Sequence, residues 1–408
     1  MIRVGFIMAF SDNGWLGGIS YYRNLFSAIK ALPERRIDPV LITSGRGVDA
    51  LKSQFPDMAV ICLPLLDASS LVSHMRRVMR VASGRDFLME RALRSTGIGI
   101  LSHSGHFGKH APVRSISWIP DFQELTFPEF FSPRELAARR RNLASTCRHA
   151  STLLLSSESA LSDLKKVRGG DVATAVLQFV ANVPPPEEFL PRDQLAAAYD
   201  VGAAYFHLPN QFWIHKNHAI VLEALALLRR QAKPVQVIAT GNTDDPRQPH
   251  HFSSLMETAR GLGVDDLFRP LGVVPYIDMM SLMRHAVGVI NPSKFEGWST
   301  TVEEAKSMGK AILLSDIPVH REQAPDRAGF FATGDAARLA ELMSQALDRW
   351  DAVAEAVHVD RAATALPARR QAFARCYEDI VLATLARHGS DAKHISMRTQ
   401  QASLDEQH

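Results

Sequence analysis

Short apolar runs rich in β-branched residues alternate along this chain with stretches of helical spacing, and the alternation occurs twice. In the first half the runs are Arg3–Met8, Val40–Thr43, Ala59–Leu63, Ile98–His103, Ser115–Ile119, Thr152–Ser156 and Val176–Val180. Between the first two, Ile19, Tyr22, Leu25, Phe26 and Ile29 recur at intervals of three and four, which puts them on one face of a helix. Strand, helix, strand in repetition builds βα units on a mostly parallel sheet. The second set has strands expected at Ala204–Leu208, Val235–Thr240, Ala286–Asn291 and Ala311–Ser315, with a weaker one at Phe268–Val274.

Pro184-Pro185-Pro186 separates the two sets. Consecutive prolines continue neither a helix nor a central strand, so residues 184–191 read as a stiff linker between domains 1–183 and 192–367. A length of 408 residues suits two such domains. Domains joined this way place a cleft between them, and such clefts are preferred ligand sites. Residues 368–387 form a further amphipathic helix, with Phe373, Cys376, Tyr377, Ile380 and Leu385 near one face, expected to pack back on the first domain. Residues 389–408 are polar and read as a flexible tail.

Composition excludes several classes. No apolar run approaches the ~20 residues of a membrane-spanning helix. The first residues read as a buried strand rather than a signal peptide. Cys62, Cys147 and Cys376 are three and far apart, which gives neither a disulfide framework nor a zinc spacing and fits a cytoplasmic protein. Charge is uneven: residues 1–183 carry 23 Lys and Arg against 15 Asp and Glu, a net +8, and the remainder 23 against 28, a net −5. The basic excess, in Arg76 to Arg94 and Arg134 to Arg148, suits solvated helix faces or an anionic membrane surface; nothing points to nucleic acid.

The chemistry concentrates in the run from Asn291 to Gly309, which reads as strand, tight loop and helix. Gly297 lets the backbone approach a ligand. Ser299, Thr300 or Thr301 caps the helix and leaves amides to face an anion. Glu304 lies about one turn further on, and Gly309 ends the helix. A second strand–loop–helix, Leu208 to His218, carries Gln211, Trp213, His215, Lys216 and His218; of these Trp213, His215 and His218 read as packing or surface residues. Near the start, Gly17-Gly18 sits where the first strand turns into the first helix, without the Gly-x-Gly-x-x-Gly of a dinucleotide site. His103-Ser104-Gly105-His106, His250-His251 and Asp244-Asp245 lack the partners of a metal site.

The run from Glu296 to Glu304 resembles the donor-binding Glu-x7-Glu signature of the family 4 glycosyltransferases. Lys216 matches that family's phosphate-binding lysine, and Gln211 stands where the family commonly has arginine. Gly17-Gly18 matches its glycine loop. Trp118 to Glu124 and Pro128 to Ser132 also look like this family, with Glu124 at a position that is often histidine. The resemblance covers roughly residues 3–385. It implies an α/β protein of the GT-B type, with two Rossmann-like βα domains facing across a cleft. It implies a retaining, metal-independent, hexosyltransferase-type enzyme that needs no cofactor beyond its nucleotide-diphosphate-sugar donor. It implies an acceptor that is a glycan or lipid-linked molecule of cell-surface polysaccharide or glycolipid synthesis. Glu296 is implied to contact the transferred sugar and Glu304 the ribose, with Gln211, Lys216, Gly241, Val274, Gly297 and Ser299–Thr301 completing the donor site. The resemblance also implies that His103, where the family often has a histidine, lies near the transferred sugar, and that Asp121 faces the acceptor. Two rival readings are a GT-B epimerase or phosphorylase and a non-catalytic nucleotide-sugar-binding scaffold.

Overall fold

The computed structural model describes residues 1–8, 16–67, 75–76, 86–108, 111–167 and 172–387. The expected tail 389–408, and Asn13 to Trp15 before the paired glycines, lie outside the described residues. The chain divides into two compact units, Met1–Phe179 with Arg369–His408, and Val180–Ala368.

The first unit is built on a seven-stranded sheet. Its strands are β1 (Ile2–Ile7), β2 (Ile37–Thr43), β3 (Ala59–Cys62), β4 (Ile98–Ser102), β5 (Arg114–Ile119), β6 (Thr152–Leu155) and β7 (Thr174–Val176). They lie in the order β3-β2-β1-β4-β5-β6-β7, and every pairing is parallel. Helices cover both faces of such a sheet, which is why β2 and β6 are almost wholly buried rather than alternating. The helix Leu16–Lys30 turns Tyr22, Leu25, Phe26 and Ile29 inward, as its spacing predicts, and buries Tyr21 as well, while Ile19 of the expected face is only half-buried. Strand β7 forms a little before the expected Val176–Val180.

The second unit has six parallel strands: β8 (Tyr205–Leu208), β9 (Gln236–Thr240), β10 (Phe268–Gly272), β11 (Gly288–Asn291), β12 (Ile312–Ser315) and β13 (Ala328–Phe331), ordered β10-β9-β8-β11-β12-β13. The weak strand β10 lies at one edge, where only Phe268 is fully buried. Strand β13 escapes the sequence pattern because Ala-Gly-Phe-Phe has no β-branched residue.

The residues that end the proline stretch pack on the second unit. Phe189 belongs to a core cluster with Met280, Met283 and Val302. The backbone N–H of Leu190 donates to Ser281 Oγ at 3.0 Å. The end of the stretch, Phe189 and Leu190, is thus anchored in the second unit, while Pro185 to Glu188 stay exposed. The last helix is also longer than expected. It runs 35 residues, Ala352–Ala386, and its residues from Arg369 onward belong to the first unit. There Phe373, Tyr377, Ile380 and Val381 are buried, and Glu378 accepts the Arg36 backbone N–H at 2.7 Å.

In each sheet the connections reverse direction once, between β1 and β4 and between β8 and β11. Loops leaving the carboxyl ends of the two central strands diverge there and open a crevice, the usual ligand position in open parallel sheets.

Candidate active site

The crevice of the second unit lies between the loop after β8 and the loop after β11, the two stretches singled out in the sequence. Buried polar side chains stitch them together. Asn210 Nδ2 donates to Asn291 Oδ1 at 3.0 Å, and Asn291 Nδ2 donates to Ser299 Oγ at 2.8 Å. Asn217 takes a left-handed conformation (φ 58°) between the turn Ile214–Lys216 and the helix His218–Arg230. From there its side-chain amide reaches the carbonyls of Pro292 and Thr333 at 3.1 and 3.0 Å. The Lys294 N–H adds a bond to the His215 carbonyl at 2.8 Å. Sequence reasoning missed Asn210, Asn217 and Asn291; their position at strand and turn ends was the available signal.

This frame holds Lys216 against Glu296, Nζ to Oε1 at 2.7 Å, with both side chains about nine-tenths buried. The Ser293 hydroxyl stands 2.7 Å from Glu296 Oε1 and 2.7 Å from Asn291 Oδ1, so its single proton serves one or the other. Burial raises the Glu296 pKa, but Lys216, the nearby His320 ring and the hydrogen bonds from Lys216 and Ser293 outweigh it. The net shift is downward, and Glu296 is a carboxylate. Lys216 spends one of its three donors here and retains two.

Glu304 behaves oppositely. It lies on the helix Thr300–Ser307, 3% exposed, and burial pushes its pKa up to about 8, with a weak opposing bond from the Tyr276 hydroxyl at 3.4 Å. Two carboxylates eight positions apart are thus separated in protonation by their surroundings.

The expected row of helix-end amides is narrower than predicted. Ser299 is the cap, and its Oγ accepts from Val302 N at 3.4 Å. Its own N–H is taken by Gln323 Oε1 at 3.1 Å, so it is not available to a ligand. The amides of Thr300 and Thr301 are the ones the cap leaves, while Thr301 Oγ1 donates to the Pro209 carbonyl at 3.1 Å.

Gln211 braces the neighbouring loop, accepting the Asn242 N–H at 2.9 Å. Gly241 has φ 149°, and a Cβ there would stand 2.4 Å from the Asn210 carbonyl oxygen, so only glycine lets β9 end against this loop. Gly297 and Val274 are half-buried in the loops after β11 and β10. His215 and His218 are packing residues, the latter stacked on Phe212 at 4.4 Å.

The remaining candidates belong to the first unit. Gly17 and Gly18 fall within the first turn of the helix Leu16–Lys30 rather than in the loop before it. Asp121 accepts the Gln123 N–H at 3.0 Å, a local turn. His103 follows β4 in a left-handed conformation (φ 55°), ringed by Phe6, Tyr21, Tyr22, Trp118 and Tyr377. Tyr21 Oη stands 2.7 Å from its Nε2 and Ser102 Oγ 2.8 Å from its Nδ1. Burial lowers its pKa to about 3, so the ring is neutral. Contact with a sugar would require breaking one of those bonds. Among the described residues no group of three or more His, Cys, Asp and Glu is placed to hold a metal ion, and no helix is long and apolar enough to cross a membrane.

Residues 202–361 match the family model described as "Glycosyl transferases group 1", so a domain of that type occupies most of the second unit. A comparison with curated proteins finds no match. Among solved structures, HepE of Anabaena in complex with UDP and glucose is 15% identical, with a TM-score of 0.65 over 95% of this chain and 100% of that one. A glycosyltransferase from Rickettsia africae is 13% identical, with a TM-score of 0.63 over 95% and 99%. WaaG, a glycosyltransferase involved in lipopolysaccharide biosynthesis, is 16% identical, with a TM-score of 0.58 over 93% and 99%. The fold, two parallel-sheet α/β domains, is that of the GT-B glycosyltransferases.

Proposed function

We propose that this protein is a retaining glycosyltransferase that moves a hexosyl unit from a nucleotide diphosphate sugar to a glycan or lipid-linked acceptor. The observation that carries the reading is the buried Lys216–Glu296 pair at the crevice between β8 and β11, with Glu304 on the helix that follows. Leaving-group charge builds on the diphosphate as the anomeric bond breaks. The two unspent donors of Lys216 and the amides of Thr300 and Thr301 meet that charge, the role of preorganised dipoles in such transfers. Glu296, fixed by Lys216 and Ser293, orients the sugar rather than attacking it. Glu304 takes the ribose hydroxyls. The HepE structures hold UDP, UDP and glucose, or UDP-glucose, which makes a uridine nucleotide the first donor to try.

Calorimetric titration with UDP, beside steady-state kinetics, tests the two carboxylates separately. Glu304→Ala weakens nucleotide binding by about 0.5–1.5 kcal/mol, up to about one decade, through loss of a hydrogen bond to a neutral carboxyl group. Glu296→Gln leaves nucleotide binding nearly unchanged and lowers turnover. The reverse pattern overturns the assignment. Because Lys216 and helix-end amides neutralise the diphosphate in this reading, turnover survives EDTA; loss restored by manganese or magnesium counts against it.

A further inference from the structure

The charges of Lys216 and Glu296 cancel, so the pair offers a diphosphate hydrogen-bond donors without net positive charge. Glu304 keeps its proton near neutral pH, and His215 is a neutral ring, so neither alters that sum. A multiply charged ligand leaving water needs more than this.

Resting on the glycosyltransferase reading, we propose that Arg247, on the loop after β9, is a second cation of the donor site and binds the nucleotide diphosphate together with Lys216.

The loop is placed for it. Strands β8 and β9 are parallel neighbours, so the loops that carry Lys216 and Arg247 leave the same end of the sheet. The two are locked side by side: the Phe212 N–H donates to the Asn242 carbonyl at 2.9 Å, and the Asn242 N–H donates to Gln211 Oε1 at 2.9 Å. Gln211 thus serves as a brace for the loop that carries the arginine. Asn242 Oδ1 then accepts the Asp244 N–H at 3.1 Å, and Asp245 Oδ1 accepts the Arg247 N–H at 3.0 Å. These side-chain turns bring the Arg247 guanidinium over Trp213, 5.5 Å from the ring centroid. The Trp213 ring stands 5.7 Å from that of His215, the residue before Lys216. Burial is the main cause that lowers the His215 pKa to about 3; Lys216 and Arg247 push the same way and Glu296 pushes against them. One ring thus feels all three charges.

Arg247 is also held as a binding group is held. Its Nε donates to Asp245 Oδ1 at 3.3 Å. The carboxylate is the deep end of the pair, 1% exposed against 30% for the arginine side chain. The negative charge lies behind and the guanidinium in front. Anchoring through Nε fixes the guanidinium plane, and the Nη edge is the one whose geometry matches two phosphate oxygens. Stacking on Trp213 steadies the cation without using a donor. The cost of the arrangement is a buried carboxylate; its benefit is a guanidinium already ordered when the ligand arrives.

Calorimetric titration of the full chain with UDP and with inorganic pyrophosphate tests this. Uridine, followed by saturation-transfer NMR, reports the nucleoside part of the site. Arg247→Gln removes the cation. The double variant Asp245→Asn, Arg247→Gln also removes the buried charge, which guards against simple loss of the loop. In both variants the affinity for UDP and for pyrophosphate falls about tenfold or more, as expected for a lost charge-assisted hydrogen bond. Uridine binds as in the wild type. Arg247→Lys, which keeps the charge and loses the fork, recovers part of the loss. Unchanged affinity for UDP and pyrophosphate in Arg247→Gln overturns the proposal. So does wild-type affinity in the double variant, or an equal loss for uridine, since either makes the residue a support of the loop alone. A wild type that binds neither UDP nor pyrophosphate sinks the donor reading, and this proposal with it. The two failures are told apart because one is seen in the wild type and the other only in the variants.

Discussion

At the residue scale, the two carboxyl groups of the donor crevice have opposite pH signatures. Glu304 has a folded-state pKa near 8 against an ordinary value of 4.5, the cause being burial. Its raised pKa means the folded state keeps a proton that the unfolded chain has released. The stability it contributes is full below about pH 4.5 and is lost as pH rises through 8, by at most about 1.4 kcal/mol per unit. Glu296, shifted downward, contributes stability above its unfolded pKa that disappears only as pH falls. Urea unfolding of the wild type and of Glu304→Gln between pH 4.5 and 9 checks this. The wild type should lose stability relative to the variant across that range, and parallel curves would refute the buried, protonated carboxyl. The glutamates themselves were readable from the chain. Their unequal protonation was not, because it depends on Lys216, Ser293 and His320 arriving beside one of them and not the other.

At the element scale, the helix Thr300–Ser307 depends on a cap that does two jobs. Ser299 Oγ accepts from Val302 N and also from the buried Asn291 amide. Replacing Ser299 by Ala removes the cap, about 1 kcal/mol, and leaves a buried donor unpaired, about 1–3 kcal/mol more. A loss of roughly 2–4 kcal/mol in urea unfolding is expected, with weaker UDP binding as the Thr300 and Thr301 amides lose their alignment. A change below about 0.5 kcal/mol would show that the network does not hold the helix. The cap was legible in the order Ser-Thr-Thr before a helical pattern. That Gln323, some 24 residues on, would claim the Ser299 N–H was not, since nothing local marks a glutamine as a bracket between helices.

For the whole molecule, the chain's return into its first unit is the consequential feature. Phe373 is fully buried there, on the last part of a helix that starts in the second unit. Phe373→Ala should cost about 3–5 kcal/mol, the range for deleting a large core aromatic. The loss should be local: hydrogen exchange, followed by mass spectrometry, should rise in β1 and β2, while β8, β11 and UDP binding are unaffected. Equal loosening of both units would mean that they do not unfold separately. The amphipathic face of residues 368–385 was visible as spacing. Its extension back to Ala352 was not, because the alanine-rich stretch before it has no apolar face to read.

Periodicity and spacing by themselves determined the two βα halves, all but one strand, and the stretches around Lys216 and Glu296, because each is local: a strand needs its run, a cap its hydroxyl, a tight turn its glycine. Only the tertiary structure decided which of those residues can meet a ligand. It anchored Phe189, at the end of the proline linker, in a core, spent the Ser299 amide on Gln323 and both nitrogens of His103 on Tyr21 and Ser102, and left Ser117 Oγ unpaired beside a cavity. Each of these depends on partners distant along the chain, and hydrogen-bond capacity is settled only when those partners come together.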